Sequence, residues 1–301
     1  MKISFVIATH QRASYLKQCL HSILEQSYPE TEIIVAHTGA PDGTFEVCEN
    51  FHSAYPKIDL RYIVCTEKGS AAQRNEGFDQ SSGDWVMFAD DDIILRQGFI
   101  SEVLNTINHF PDIAAVSGRI ENQFFEPLGT YTKFLLYMSG VSSSGKIAGK
   151  VVGPVLNFLP EEKGEHFEFV DWVPIGVSLI NRSAYIEAGG FPSHFKGYSF
   201  AEDVCLSLLL RRKYQLVLNR KAVAFHYDLG SAGHKDYYRL AKMQMCNRVF
   251  ILKNVLNTYN IKMLFSLYVW HAGKTLPLII RKPVQGFKML AGFTIEFFAN
   301  I

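Results

Sequence analysis

The chain has 301 residues, 48% of them hydrophobic and 20% charged, with 30 Lys and Arg set against 29 Asp and Glu. That much apolar mass with so small a charge imbalance excludes a disordered, collagen-like or low-complexity chain and gives no general reason to expect nucleic acid as a partner. The balance is uneven along the sequence: residues 1–235 hold 21 basic and 27 acidic residues and residues 236–301 hold nine and two, so a basic tail follows an acidic body.

Met1 to Ala8 predicts a first strand, and the turn to polar residues at Thr9-His10-Gln11-Arg12 comes too early for the apolar core of a signal peptide. Tyr15, Leu16, Cys19, Leu20, Ile23 and Leu24 recur at helical spacing until Tyr28-Pro29 ends the run. Glu32 to Ala36 predicts a second strand, and Pro41-Asp42-Gly43-Thr44 a turn whose Thr44 caps a helix carrying Val47 and Phe51. Leu60 to Cys65 predicts a third strand, Ser70 to Ser81 a helix, Asp84 to Ala89 a fourth strand, Arg96 to Phe110 a helix and Ile113 to Gly118 a strand. From Ile120 to Glu168 the rhythm is lost, and Gly140 to Gly145 reads as a flexible loop. Regularity returns with Trp172 to Ile180, a helix around Arg182 to Ala188, the turn Gly189-Gly190-Phe191-Pro192, a helix opening near Glu202-Asp203 and a last strand, Ala222 to His226. Strands and helices alternating this way predict an α/β fold: a mostly parallel, Rossmann-like sheet covered on both faces, with its ligand beyond the carboxyl ends of the strands. Five scattered cysteines without a Cys-x-x-Cys pair suggest neither a disulfide framework nor a zinc knuckle, and point to a reducing cytoplasm.

The predicted strand ending at Ala89 runs straight into Asp90-Asp91-Asp92. Alone, such a triplet reads as a solvated acidic turn; at the carboxyl end of a central strand, its oxygens suit a hard cation such as Mg²⁺ or Mn²⁺, with substrate phosphates completing the shell. Glu202-Asp203, in the first turn of its helix, is by itself simple complementation of the helix dipole. Likewise Arg74 alone is a surface helix residue, and His226 at a strand end a structural imidazole.

Several of these pieces stand in the order of a known family. Phe5-Val6-Ile7-Ala8-Thr9-His10-Gln11-Arg12, Asp42-Gly43-Thr44, Gly69 to Gly77 with Ala72-Gln73-Arg74-Asn75, Gly83-Asp84 before the triplet, Gly189-Gly190-Phe191 and Glu202-Asp203 together resemble the family 2 glycosyltransferases of the GT-A fold, over most of residues 1–228. The resemblance implies an inverting transfer of a sugar from a nucleotide-diphosphate donor to a hydroxyl of a glycan or lipid-linked glycan. It places Asp90 by the ribose with Asp91 beside it on the donor, Asp92 on the cation (Mn²⁺ or Mg²⁺), and Arg74 on the diphosphate, a group that a guanidinium holds in bidentate fashion. It makes Asp203 the general base and gives Glu202 to the acceptor or to the support of Asp203. It also makes His226 the late histidine that completes the cation's coordination.

One departure concerns the base: where many relatives carry an Asp after the second strand, His37 stands here, and an imidazole lacks the fixed negative acceptor that reads uracil. Thr9 and Arg12 are the other expected neighbours of the nucleobase. Trp172 lies in the segment that forms acceptor sites in the family; an exposed indole stacks on a sugar, a buried one is ordinary core.

Residues 1–235 are thus expected to form the GT-A domain, with a nucleotide-sugar half (1–119) and an acceptor half (120–235), and residues 236–301 a helical extension. Its stripe of Ala241, Met245, Val249, Leu252 and Leu256 is of the docking kind, accompanied by Lys242, Arg248 and Lys253. Met263 to Ile280 is apolar, but it falls short of the roughly 20 residues a span needs and carries Lys274 near its middle, at a cost of about 2.5 to 3.5 kcal/mol. Lying on an anionic membrane, helped by Arg239, Lys262, Arg281, Lys282 and Lys288, is the easier association, with a lipid-free helical subdomain as the alternative. The protein is therefore expected in the cytoplasm or peripherally on the inner face of the plasma membrane. A non-catalytic sugar-nucleotide-binding relative is one rival reading, and the carboxylates stand against it. A metal-dependent nucleotidyltransferase and a dinucleotide oxidoreductase both call for a glycine-rich loop after the first strand, and Ala8-Thr9-His10-Gln11-Arg12 has no glycine.

Overall fold

The computed structural model describes residues 1–142, 145–197, 199–227 and 236–301. Six strands run parallel in one sheet: β1 (Ile3–Thr9), β2 (Thr31–His37), β3 (Asp59–Val64), β4 (Trp85–Asp90), and, after the short β5 (Ile93–Leu95), β6 (Ile113–Ile120) and β11 (Gln215–His226). Between β6 and β11 come two-residue strands β7 (Val151–Val152) and β8 (Leu156–Asn157), then β9 (Phe167–Val170) and β10 (Val177–Asn181). The sheet order is β3-β2-β1-β4-β10-β6-β11-β5, with β9 on the flank of β11 and with β5, β9 and β10 antiparallel to their neighbours. Helices α1 (Ala13–Leu24), α2 (Thr44–Ala54), α3 (Ser70–Asp79), α4 (Phe99–His109), α5 (Thr130–Met138), α6 (Arg182–Ala188) and α7 (Glu202–Leu210) connect these strands.

Strands covered on both faces are continuous apolar runs, because alternate side chains enter opposite layers. In β1, Val6 enters one core, while Ile3, Phe5 and Ile7 enter the other; in β4, Val86 and Phe88 part from Trp85, Met87 and Ala89 in the same way. The chain leaves β1 for β2 and β3 on one side and returns to β4 on the other, so a crevice opens between the carboxyl ends of β1 and β4.

The structure departs from the predicted elements where sequence periodicity is weakest. Thr44 does not cap α2: Gly43 takes the cap position in the left-handed conformation (φ 89°), and Asp42 Oδ1 accepts the Thr44 N–H at 3.0 Å. The irregular stretch after Ile120 contains α5, which lacks a side-chain cap and an acidic first turn. In the Trp172 to Ile180 run the strand begins only at Val177 and continues to Asn181, since Pro174 has no N–H to give to a ladder. β11 starts at Gln215, seven residues early, its polar Asn219-Arg220-Lys221 sitting where the register with β6 shifts. Of the Gly140–Gly145 loop, Ser143 and Ser144 lie outside the described residues.

The tail forms α8 (Tyr237–Phe250), a π-helical turn (Ile251–Val255), α9 (Ile261–Arg281) and α10 (Pro283–Ala299). Ala241, Met245, Val249 and Leu252 are buried in the same apolar cluster as residues of α7 and β11. Of the cations beside that stripe, Lys253 is exposed, but Arg248 is 5% exposed and points into the protein.

Candidate active site

The carboxyl end of β4 meets that of β1 in the crevice. Thr9 Oγ1 donates to Asp91 Oδ2 at 2.7 Å, and Arg12 Nη1 reaches Asp92 Oδ2 at 2.9 Å and Asp91 Oδ1 at 3.3 Å. The triplet is therefore not a solvated turn: Asp91 and Asp92 are buried, and Asp90 is half-buried. Burial pushes the Asp91 carboxyl up to about 7 against the pull of Thr9 and Arg12. At Asp92 burial acts the same way, but His226 and Arg12 outweigh it and hold the carboxyl below its ordinary value. His226 Nε2 lies 3.0 Å from Asp92 Oδ1, and Gln123 donates to its Nδ1 at 2.9 Å. One ligand atom each from Asp90, Asp92 and His226 lies within 4.8 Å of the others. Two carboxylates and an imidazole at that spacing fit a divalent cation of the Mn²⁺ or Mg²⁺ kind, with the open positions for phosphate oxygens.

Three consecutive residues of α3 organise the surroundings, because successive side chains on a helix point about 100° apart. Gln73 donates to the carbonyls of Thr9 (3.0 Å) and Ala36 (2.8 Å), fixing the ends of β1 and β2. Arg74, 4% exposed, donates through Nη2 to Asp90 Oδ1 at 2.7 Å and through Nη1 to Glu202 Oε1 at 2.9 Å. Asn75 donates to the Phe191 carbonyl at 2.8 Å and accepts from Tyr185 Oη at 2.5 Å and from the Phe191 N–H at 3.1 Å. The Gly189-Gly190-Phe191 turn thus secures α3, and α3 presents Arg74 to both carboxylate clusters. Gly176 completes the wall: a Cβ there would lie 2.3 Å from Asp90 Oδ2.

Glu202 and Asp203 open α7. Asp203 Oδ1 accepts the Val204 N–H at 2.7 Å. Burial raises the Asp203 carboxyl to about 6, against that hydrogen bond and the positive charges of Arg74 and Arg248. Burial also raises Glu202, opposed first by Arg74. A carboxylate poised near 6 is largely ionised at neutral pH yet basic enough to take a proton.

The residues expected near donor and metal, Thr9, Arg12, Arg74, Asp90, Asp91, Asp92 and His226, share this crevice, and Arg74 ties Glu202 to it. His37 is buried; its Nδ1 is hydrogen-bonded to Tyr62 Oη at 3.0 Å, and its Nε2 lies 3.4 Å from Asp42 Oδ1. Trp172 is 5% exposed and its indole N–H donates to the Phe158 carbonyl at 2.9 Å, so its ring belongs to the core and is not a platform for a sugar. Gln73, Asn75 and Gly176 belong to the site beyond the residues expected from sequence. The first two flank Arg74 in Ala72-Gln73-Arg74-Asn75, which is a sequence signal; Gly176 carries no such signal beyond being a glycine.

Residues 4–200 match the family model described as glycosyl transferase family 2. Among curated proteins, the chain is 31% identical over 121 residues to glycosyltransferase AglE of Haloferax volcanii, covering 40% of this chain and 39% of that one. It is 31% identical over 107 residues to a GalNAc(5)-diNAcBac-PP-undecaprenol beta-1,3-glucosyltransferase of Campylobacter jejuni, covering 36% and 35%. The matched region thus spans well under half of these relatives. Among solved structures, the mannosyltransferase PcManGT of Pyrobaculum calidifontis, in complex with GDP-Man and Mn2+, superposes with a TM-score of 0.61 at 16% identity, over 99% of this chain and 86% of that one. At that identity the likeness is one of fold, and the shared fold is GT-A.

Proposed function

This chain belongs to glycosyl transferase family 2, and from that premise we propose that it moves a sugar, with inversion, from a nucleotide-diphosphate donor to a hydroxyl of a glycan or lipid-linked glycan. The observation that carries the reading is the Arg74 bridge, 2.7 Å from Asp90 and 2.9 Å from Glu202, which joins the acidic triplet and the Glu202-Asp203 pair in one crevice. GDP-Man and Mn2+ in the Pyrobaculum structure, and the undecaprenol diphosphate in the Campylobacter relative's name, support the donor and acceptor classes.

In this scheme Asp90 and Asp91 stand on the donor side, with Arg74 supplying positive charge beside the diphosphate and Arg12 on the nucleotide side. Asp92 and His226, with Asp90, would hold Mn²⁺ or Mg²⁺, which when bound neutralises charge on the leaving diphosphate. Asp203 takes the proton of the acceptor hydroxyl as that oxygen bonds to the anomeric carbon and the bond to the diphosphate breaks; a single displacement inverts the centre. Glu202, held by Arg74, supports Asp203 or binds the acceptor. Thr9 and His37 stay on the nucleotide side, His37 leaving uracil without its usual carboxylate reader.

Replacing Asp203 with Asn is expected to abolish transfer, a loss of at least about 10³-fold, while calorimetry shows donor affinity within about twofold of the wild type. Transfer at near wild-type rate would remove Asp203 from the base role. The anomeric configuration of the product, read by proton NMR, tests inversion.

The tail adds a location. We infer that residues 236–301 rest on an anionic membrane at its cytoplasmic face. α9 is long and apolar enough to cross a membrane, but one side of it is spent on the protein, with Leu264, Leu267, Trp270 and His271 buried. Its other side and α10 expose Phe265, Leu276, Ile280, Val284 and Phe287 beside exposed Lys262, Arg281, Lys282 and Lys288, the composition of an interfacial helix pair.

A further inference from the structure

We propose that α8 of the tail is part of the catalytic centre, with Arg248 and Asn247 as positioning residues that hold the turn presenting Asp203. This rests on the reading of Asp203 as base and assigns a role outside the region matched by the family model, residues 4–200.

The turn before α7 is held in an unfavourable shape: Ser199 (φ 54°) and Ala201 (φ 66°) are both left-handed without being glycine, and both are buried. Such backbone persists only when its surroundings over-determine it. Phe200, between them, is gripped twice from α8. Asn247 Nδ2 donates to its carbonyl at 2.7 Å, and the Arg248 guanidinium carbon lies 4.8 Å from its ring centroid. Asn247 is itself oriented by His194, whose Nε2 is 3.0 Å from its Oδ1. Arg248 also donates through Nε to the carbonyl of Val155 at 3.0 Å, another left-handed residue (φ 61°), and through Nη2 to Asn157 Oδ1 at 3.1 Å. One side chain thus ties the two strained turns together.

The remaining amino group of Arg248, Nη1, is buried with no hydrogen-bond partner among the described residues. A buried cation is costly unless an opposite charge is close. Asp203 is the carboxylate whose charge offsets the burial of Arg248, and Arg248 in turn favours ionised Asp203. The groups that act on Asp203 are therefore Arg248 from α8, Arg74 from α3, Asp90 from β4 and its neighbour Glu202; on Arg248, they are Asp203 and the buried, neutral His271 of α9.

The test is the titration of Asp203 in the full chain with Mg²⁺, followed by ¹³C carboxyl NMR and assigned by the resonance that Asp203→Asn removes. Arg248→Met is expected to move the midpoint upward by about one unit or more, and Arg248→Lys, which keeps the charge but not the fork, by less than half of that. With GDP-mannose or UDP-GlcNAc as donor probe, Arg248→Met is expected to lower kcat about 10- to 100-fold near pH 6.5 with donor KM within about twofold. Asn247→Ala, which leaves the charge in place, is expected to lower kcat with the midpoint unmoved. An unmoved midpoint in folded Arg248→Met overturns the proposal; if that variant does not fold, wild-type kcat in Asn247→Ala does so. Because the titration needs no sugar nucleotide, a midpoint shift without turnover of any donor would sink the transferase reading and leave the coupling standing.

Discussion

Arg74 shows how much of this site hangs on single side chains. Its guanidinium serves two carboxylates, from β4 and from α7, and a planar fork does so where an ammonium would have to choose. Asp203 carries a second residue-scale consequence. Its carboxyl is raised to about 6, and in the proposed base role only the ionised form accepts a proton. Activity is therefore expected to fall about tenfold per pH unit as pH drops below about 6, and to be insensitive to this group above about 7. A profile of kcat/KM between pH 4.5 and 8 checks it; a flat acidic limb would dissociate the rate from this carboxyl. The candidate carboxylates and Arg74 were legible in the sequence because they sit at the ends of predicted elements in a recognisable order. The side of Trp172 was not, since whether an indole is core or platform depends on its tertiary surroundings, here a buried position in which the Phe158 carbonyl takes its N–H.

Two contacts between elements decide whether the crevice keeps its shape. Gly176 precedes β10 and lets the backbone pass against Asp90; a methyl group there would lie 2.3 Å from Asp90 Oδ2, well inside van der Waals contact. Gly176→Ala is expected to leave the fold intact by circular dichroism and to weaken Mn²⁺-supported donor binding about tenfold or more in calorimetry, because Asp90 must turn away. The opposite ends of the strands are stapled by Glu32. Its fully buried carboxylate accepts from Ser4 Oγ and the N–H groups of Ser82 and Gly83, and pairs with Lys2 (2.7 Å) and Arg61 (2.6 Å), joining β1, β2, β3 and the approach to β4. Burial opposes its ionisation, but these partners outweigh burial and hold it down at about 2. The folded value lies below the unfolded one, so this contribution is complete above about pH 4.5 and is lost as pH falls toward 2. Glu32→Gln is expected to cost on the order of 2 kcal/mol at pH 7 in urea unfolding, with the difference from wild type shrinking below pH 4. An equal difference at pH 3 and pH 7 would show that charge is not what the staple supplies.

At the scale of the whole molecule, the tail has two faces with different duties. The inner face of α8 to α10 continues the core, and Gly292 lets α10 approach α8 so closely that a Cβ there would lie 2.5 Å from the Tyr238 carbonyl oxygen. The outer face carries apolar side chains ringed by lysine and arginine, and α5 adds Phe134, Tyr137 and Met138, exposed as well, from a helix packed on α9. The full chain is expected to sediment with vesicles containing phosphatidylserine at low salt and to be released at about 0.5 M salt, each basic residue near the surface contributing up to about 1 kcal/mol. Ile280→Asp with Phe287→Asp is expected to weaken that binding without altering the melting temperature. Partition that ignores salt, or none, would count against this surface as an electrostatic anchor.

The amino-acid order by itself determined the alternation of strands and helices, the position of the acidic triplet at a strand's end and the pairing of Glu202 with Asp203, because each is a matter of local period or adjacency. Only the tertiary structure decided that Arg74 bridges residues 90 and 202, that Trp172 is core, and that Arg248 turns inward to the turn before Asp203 while Lys253 faces out. The physical reason is one of range. A helix stripe shows which residues are apolar, but the charge of Arg248 buried within it is placed by partners as distant along the chain as Phe200 and Val155, and no local pattern encodes them.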